Sequence, residues 1–236
     1  EGSQACGDVG LGRMLEAIDI AERLAAGFQS RLMDGLSVTI TAGPTREPID
    51  PVRYISNHSS GKMGYALAQA MTDAGAKVIL ISGPVNIEPP EFCQLIAVET
   101  AQEMLEAAQS ASAACDVFIA CAAVADYRVD QVASQKIKKS ADTMQLQLIK
   151  NPDILQTIAA AANAPFCVGF AAETQSVVEY ARNKLERKQL DMIVANDVSR
   201  ADIGFGSDEN AVIVVDSAGE HPLPQASKQL IAAQLT

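Results

Sequence analysis

The residues best suited to chemistry cluster in one unusual stretch, Thr41–Gly64, TAGPTREPIDPVRYISNHSSGKMG. It gathers Gly, Pro, Ser and Asn around Arg46, Arg53 and Lys62, between the apolar run Leu36–Ile40 and an apolar-periodic stretch that begins near Met63. Loops of this length inside a compact α/β domain are uncommon and mostly functional. Backbone donors and fixed cations at a helix start suit an anion, above all phosphate. Ser59–Lys62 looks like the end of a phosphate-binding P-loop. The full GxxxxGK[ST] is absent, because Met63 follows the lysine and no Gly stands five residues before Gly61. Ser59 or Ser60 as an N-cap explains the same residues, and free amides there could still take phosphate. A dinucleotide site would need GxGxxG after the first strand and an acidic residue ending the second. The second apolar run ends Ile81-Ser82-Gly83-Pro84 instead, and the glycines of Gly7–Gly12 follow no strand.

Four further constellations carry polar chemistry. Cys121–Tyr127, CAAVADY, leaves an apolar run through small residues, over which a flat ligand can approach the backbone, and reaches Asp126, which could accept from a base or sugar or cap a helix. Lys136-Ile137-Lys138-Lys139 is either a solvated charge run or a mobile basic loop able to close on a polyphosphate. Asn151-Pro152-Asp153-Ile154 reads as a helix opening. Lys184 and Lys188 share a helix face, where they repel one another or clamp an anion.

The elements that must hold these residues alternate. Strands are expected over Ser37–Thr41, Val78–Ser82, Gln94–Val98, Val117–Ala122, Phe166–Phe170, Met192–Ala195 and Ala211–Val215, and helices over Leu15–Leu32, Lys62–Ala74, Ala101–Ala113, Pro152–Ala162, Ser176–Gln189 and Gln225–Leu235. That order predicts an α/β, three-layer Rossmann-like fold with a mostly parallel sheet, and a small antiparallel hairpin within Ile203–Pro224. Ligands of such folds sit at the carboxyl ends of the strands. Gly43–Gly61, Gly83-Pro84, Ala123–Asp126, Ala171–Thr174 and Asn196-Asp197 all fall there.

The chain has 236 residues, 48% hydrophobic, with a formal net charge of −11. The charge argues against nucleic acid or an anionic membrane as the main partner. It gives weight to the nine of 18 Lys and Arg residues that lie in or beside the motifs above. No apolar run approaches the roughly 18 residues of a membrane span, and the start lacks a signal-peptide pattern, so a cytoplasmic protein is expected. Five cysteines without CxxC spacing, and only His58 and His221, speak against a zinc site.

In this order, TAGPTREPIDPVRYISNHSSGKMG, ACAAVADY, KIKK, KNPDIL, VGFAAET and VANDVS resemble the synthetase half of the bacterial bifunctional phosphopantothenoylcysteine decarboxylase/synthetase. The resemblance runs from about Leu36 to the C-terminus. The N-terminal ACGDVGLGRM resembles the end of the decarboxylase half, whose acid cysteine would be Cys6. It implies three regions: residues 1–14 as a decarboxylase remnant, 15–35 as a connecting helix and linker, and 36–236 as the ligase domain. It further implies CTP-dependent joining of 4′-phosphopantothenate to L-cysteine through an acyl-cytidylate, with Mg²⁺, as a homodimer, and without FMN in this fragment. The decarboxylase domain would accompany it in the full-length protein. Carried over residue by residue, the CTP site is Ala120, Cys121, Ala122, Asp126, Lys136, Asn151, Pro152, Asp153, Ile154, Phe170, Lys184 and Lys188. Asn57 and Lys136 match residues the family treats as catalytic, and Arg53 is the candidate for the substrate phosphate or carboxylate. The alternative from another class is a non-catalytic nucleotide-binding module.

Overall fold

Apolar runs of four to eight residues, too short for core helices and flanked by Gly or small polar residues, need partners on both faces. A computed structural model, describing residues 2–3, 9–10, 31–139, 142–173, 175–197, 203 and 206–236, shows how they obtain them. The chain divides into two compact units, Glu1–Arg31 and Leu32–Thr236. In the first, β1 (Gly2–Ser3) and β2 (Val9–Gly10) form a short antiparallel pair. Cys6, and the expected helix Leu15–Leu32 as far as residue 30, lie outside the described residues.

The second unit runs β3 (Ser37–Ala42), β4 (Arg46–Asp50), β5 (Arg53–Ser56), α1 (Lys62–Asp73), β6 (Lys77–Ser82), β7 (Gln94–Ala97), α2 (Ala101–Ser112), β8 (Val117–Ala120), β9 (Tyr127–Val129), β10 (Leu148–Lys150), α3 (Ile154–Ala159), β11 (Phe166–Glu173), α4 (Val177–Lys188), β12 (Met192–Asp197), β13 (Glu209–Asp216), β14 (Glu220–Ser227) and α5 (Lys228–Gln234). Eight of the strands form one sheet in the order β14-β13-β12-β11-β8-β3-β6-β7. The strands from β12 to β7 pair parallel. β13 and β14 add the antiparallel hairpin. Pro222 and Pro224, which lack a ladder donor, are tolerated because β14 is the edge strand.

Side-chain alternation along each strand supplies two cores. Val38, Ile40, Val78, Leu80, Val168 and Val194 face α1 and α5 with Leu67, Met71 and Ile231. Ile81, Phe118, Cys167, Ile193 and Val215 face α2, α3 and α4 with Met104, Leu155 and Ala181. The expected three-layer α/β architecture is therefore present.

The stretch after β3 is less irregular than its composition predicts. β4 and β5 form an antiparallel hairpin inside it, and β9 and β10 pair in the same way. Pro48, Pro51 and the charged residues of β4 hide the first hairpin from a pattern search, because its strands are held by long-range bonds and not by apolar alternation. Glu47 is fully buried and accepts from Ala101 N at 2.9 Å, at the N-terminus of α2, where a carboxylate is favoured. Asp50, also buried, accepts from Val52 N (2.9 Å), Arg53 Nε (3.0 Å) and Ile137 N (3.1 Å). The N-cap of α1 is Gly61 in a left-handed conformation (φ 79°), not Ser59 or Ser60; Ser59 Oγ reaches back to accept from Gly61 N at 3.3 Å. The residue after β6, Gly83, is pressed against the loop, and a Cβ there would stand 1.8 Å from the Pro44 carbonyl oxygen.

Two outcomes are expected. Gly83→Ala forces backbone apart and costs about 3 kcal/mol or more, read as a lower denaturant midpoint; an unchanged midpoint would show that Pro44 and Gly83 do not meet this closely. The bond from Arg53 holds the Asp50 carboxyl far below its ordinary value of 3.8, helped by the Val52 and Ile137 amides and opposed by burial. A carboxyl lowered on folding adds stability above its unfolded value and loses it as the pH falls through its folded value. Asp50→Asn is therefore destabilising at pH 7, and its gap to the wild type narrows below about pH 4, as measured by denaturant midpoints across the acid range.

Candidate active site

β8 ends at Ala120, but the chain continues along the neighbouring loop as if the ladder had not stopped. Cys121 N donates to Thr41 O (3.2 Å), Ala123 N to Gly43 O (2.9 Å) and Thr45 N to Ala123 O (3.3 Å). Ala122 N donates to Thr41 Oγ1 (3.3 Å) and Ala125 N to the buried Thr45 Oγ1 (3.0 Å). Small residues are required where two backbones run this close, so the CAAVA segment serves the seam between two loops as well as any ligand. Asn57 Nδ2 donates to Ala123 O at 3.0 Å, which places the first loop's amide side chain on this seam.

Beside the seam opens a cleft of about 890 Å³ at the carboxyl ends of β3, β8 and β11. Ala120, Ala122, Asp126, Asn151, Pro152, Asp153, Ile154, Phe170 and Lys188 line it, together with Asn57. Asn151 is a staple between its walls. Its backbone N donates to Asp126 O (2.8 Å), its Nδ2 to Ala125 O (2.8 Å), and its Oδ1 accepts from Arg128 (3.0 Å). Asp153 caps α3 by accepting from Gln156 N at 3.1 Å and holds Lys188 Nζ at 2.8 Å. Lys188 closes α4, where a cation complements the helix dipole. The cleft floor thus combines a carboxylate with a cation that is only 17% exposed.

A smaller cavity of about 130 Å³ adjoins it, lined by Ser59–Gly64, Cys121, Phe170, Asn196, Asn210 and Lys228 among others. Two lysines hold its rim. Lys62 Nζ bonds Asp208 (2.6 Å) and Gly206 O (3.1 Å), and the buried Lys228 Nζ donates to Ser207 O (2.5 Å). The bond from Lys62 lowers the Asp208 carboxyl. Burial lowers the Lys228 ammonium, and the neighbouring Lys62 adds to that. Burial pushes the Cys121 thiol up to about 12, against a weaker pull from Lys228. Cys121 is therefore a neutral wall at ordinary pH and no nucleophile.

The remaining expected residues stand apart from the cleft lining. Lys184 pairs with Glu173 at 2.6 Å. Arg53 is tied to Asp50 and to Ile137 O (3.0 Å). Lys136 is exposed in the loop that follows β9. Lys150 and Tyr127, which the sequence motifs contain without assigning them a site role, line the cleft; sequence reading passed over His58, which lines it too, and Asn210 and Lys228, which line the smaller cavity. Asn210 inside an apolar strand was a usable signal, since a buried polar side chain there needs a reason. Lys228 had none, because a lysine opening a terminal helix reads as solvated.

Comparison with known proteins shows the family and the fold. Residues 33–236 match the family model of the DNA/pantothenate metabolism flavoprotein C-terminal domain. The coenzyme A biosynthesis bifunctional protein CoaBC of Haemophilus influenzae is 54% identical over 236 residues, 99% of this chain and 59% of that protein. The Vibrio parahaemolyticus CoaBC is 52% identical over 237 residues, with the same shares. The chain therefore spans 59% of the length of these curated relatives. The solved C-terminal domain of a CoaBC superposes with a TM-score of 0.75 at 41% identity, covering 87% of this chain and 94% of that one. With a family model matched over residues 33–236 and the fold in agreement, the chain belongs to the DNA/pantothenate metabolism flavoprotein C-terminal domain family.

Proposed function

We propose that residues 36–236 are a phosphopantothenate–cysteine ligase of coenzyme A biosynthesis that uses CTP. Residues 1–14 would be the remnant of a decarboxylase domain and 15–35 its connection. One observation carries the reading: a cleft of nucleotide size at the strand ends, lined by Ala120, Ala122, Asp126, Asn151–Ile154, Phe170 and Lys188 with Asn57 at its wall. The names of the relatives at 52–54% identity support it.

In this reaction the 4′-phosphopantothenate carboxylate attacks the α-phosphorus of CTP and pyrophosphate leaves. The amine of L-cysteine then attacks the acyl carbon, the acyl–oxygen bond breaks, CMP leaves, and the amine gives up its proton. A carboxylate is a poor acyl donor, and the cytidylyl group makes it a good one. The first step brings two anions together, so the work of the protein is positioning and electrostatic stabilisation. Lys136 would stabilise charge on the transferring phosphate. Asn57 would turn its amide from Ala123 O to the acyl oxygen or the pantothenate arm. The cleft would take cytidine and the α-phosphate, with Lys188 exchanging part of its bond to Asp153 for a phosphate oxygen. The smaller cavity, with the Ser59–Gly64 backbone and Lys228, suits the departing pyrophosphate. Mg²⁺ fits as part of the nucleotide, because such sites need only one or two carboxylates besides the phosphates, and Asp126 and Asp153 line the cleft. The ion would screen the phosphate charge. The enzyme would work in the cytoplasm as a homodimer, attached to its decarboxylase domain.

Pyrophosphate and CMP release should require CTP, phosphopantothenate and cysteine together. CTP binding without turnover would leave a nucleotide-binding module instead. Lys136→Gln should lose turnover by about 10²-fold or more with its thermal unfolding midpoint unchanged; wild-type rates would remove Lys136 from the reaction. Lys188→Met should raise the KM for CTP about tenfold, read in the same pyrophosphate assay.

A further inference from the structure

Three lysines crowd the basic loop, Lys136, Lys138 and Lys139, and all three are exposed. The structure treats them differently. The loop is sewn to the end of β4 at two points. Ala133 N donates to Ile49 O at 3.0 Å. Four residues later, both polar groups of the Ile137 backbone are taken: its N donates to Asp50 Oδ2 at 3.1 Å, and its O accepts from Arg53 at 3.0 Å. Lys136 therefore stands on an arc closed at both ends, with its own peptide bond to Ile137 inside the tie. Lys138 and Lys139 come after it.

The Asp50 carboxylate is more than this hairpin turn requires. Val52 N and Arg53 Nε are two and three residues away and would satisfy a local turn by themselves. The bond from Ile137 spans 87 residues. A buried carboxylate is expensive unless every lone pair is used, and here one of its uses is to hold a distant backbone amide. Arg53 completes the arrangement by bonding the carboxylate and the Ile137 carbonyl together. Its guanidinium has a fixed fork geometry, so it transmits the position of Asp50 to the loop.

We propose that Asp50 is a positioning residue for Lys136: through Arg53 and the Ile137 backbone it fixes where the loop lysine can reach. This rests on the ligase reading above for what Lys136 does, but not for the tie itself. It explains why one lysine of three acts, and it assigns Arg53 a structural share in the site besides any substrate contact.

Amide hydrogen exchange on the whole chain reads the tie directly. The Ile137 amide of the wild type should exchange at least about tenfold more slowly than in an unstructured peptide, and Asp50→Ala, which leaves no side-chain acceptor, should remove that protection. Exchange at the free-peptide rate in the wild type overturns the proposal and needs no variant to fold; so does protection that survives Asp50→Ala. Kinetics read the consequence. Asp50→Asn should lower kcat for pyrophosphate release about ten- to hundredfold with the KM for CTP nearly unchanged. On a Lys136→Gln background the same change should cost nothing further, because it acts through a lysine already gone. A full additional loss there would mean that Asp50 serves the fold generally, which overturns the proposal. The exchange measurement holds whether or not the wild type turns over CTP, so failure of the tie and failure of the ligase reading are told apart.

Discussion

When β8 ends at Ala120, the following residues still carry backbone donors that must find acceptors next to a buried sheet. Thr41, Gly43 and Thr45 supply them, through two carbonyls and two hydroxyls that accept from Cys121, Ala123, Ala122 and Ala125. The rest of the site depends on this seam. It sets the spacing of the two loops that leave neighbouring strands and leaves the cleft open beside them. It also presents the Ala123 carbonyl to Asn57. The same first loop brings the Pro44 carbonyl against Gly83.

The electrostatics of the site are built from held cations. Lys188 lies on Asp153, Lys184 on Glu173, Lys62 on Asp208 and Arg53 on Asp50. In a chain of net charge −11 this keeps positive groups at the strand ends when no anion is bound. On the proposed ligase reading, an arriving phosphate would trade one acceptor for another and would not have to organise a lysine from solvent. The exchange is cheap where the pair is solvent-exposed, as at Asp208. It is costly where the carboxylate is buried, as at Asp50. Pairs whose carboxylate is solvent-exposed, as Asp208 and Asp153 are, can give up part of their bond to an anion more cheaply than Asp50 can.

Much of the frame was legible in the chain itself. The seven apolar runs became the strands expected, within three residues at either end, because burial on both faces leaves an apolar run of this length few alternatives to a sheet. The two antiparallel pairs β4–β5 and β9–β10 were not legible, because their strands are only three to five residues long, each carries a charged residue, and β4 is broken by Pro48. The helix expected from Pro152 begins at Ile154, since Asp153 spends its side chain on capping. Of the carried-over nucleotide residues, most meet in one cleft, Cys121 lines the cavity next to it, and Lys136 and Lys184 stand outside both linings.

By itself the sequence determined the layer order, the side of the sheet on which polar motifs gather, and the family, because hydrophobic periodicity and long contiguous motifs are local properties of the chain. Only the tertiary structure decided which polar groups are already satisfied. Asn151 reads as a ligand contact and is a staple, Arg53 reads as an anion site and is tied to Asp50 and Ile137, and Lys228 reads as solvated and is buried. A hydrogen bond between residues 87 positions apart leaves no trace in either residue's neighbours along the chain, so the partner of a polar group becomes known only when the fold has brought it near.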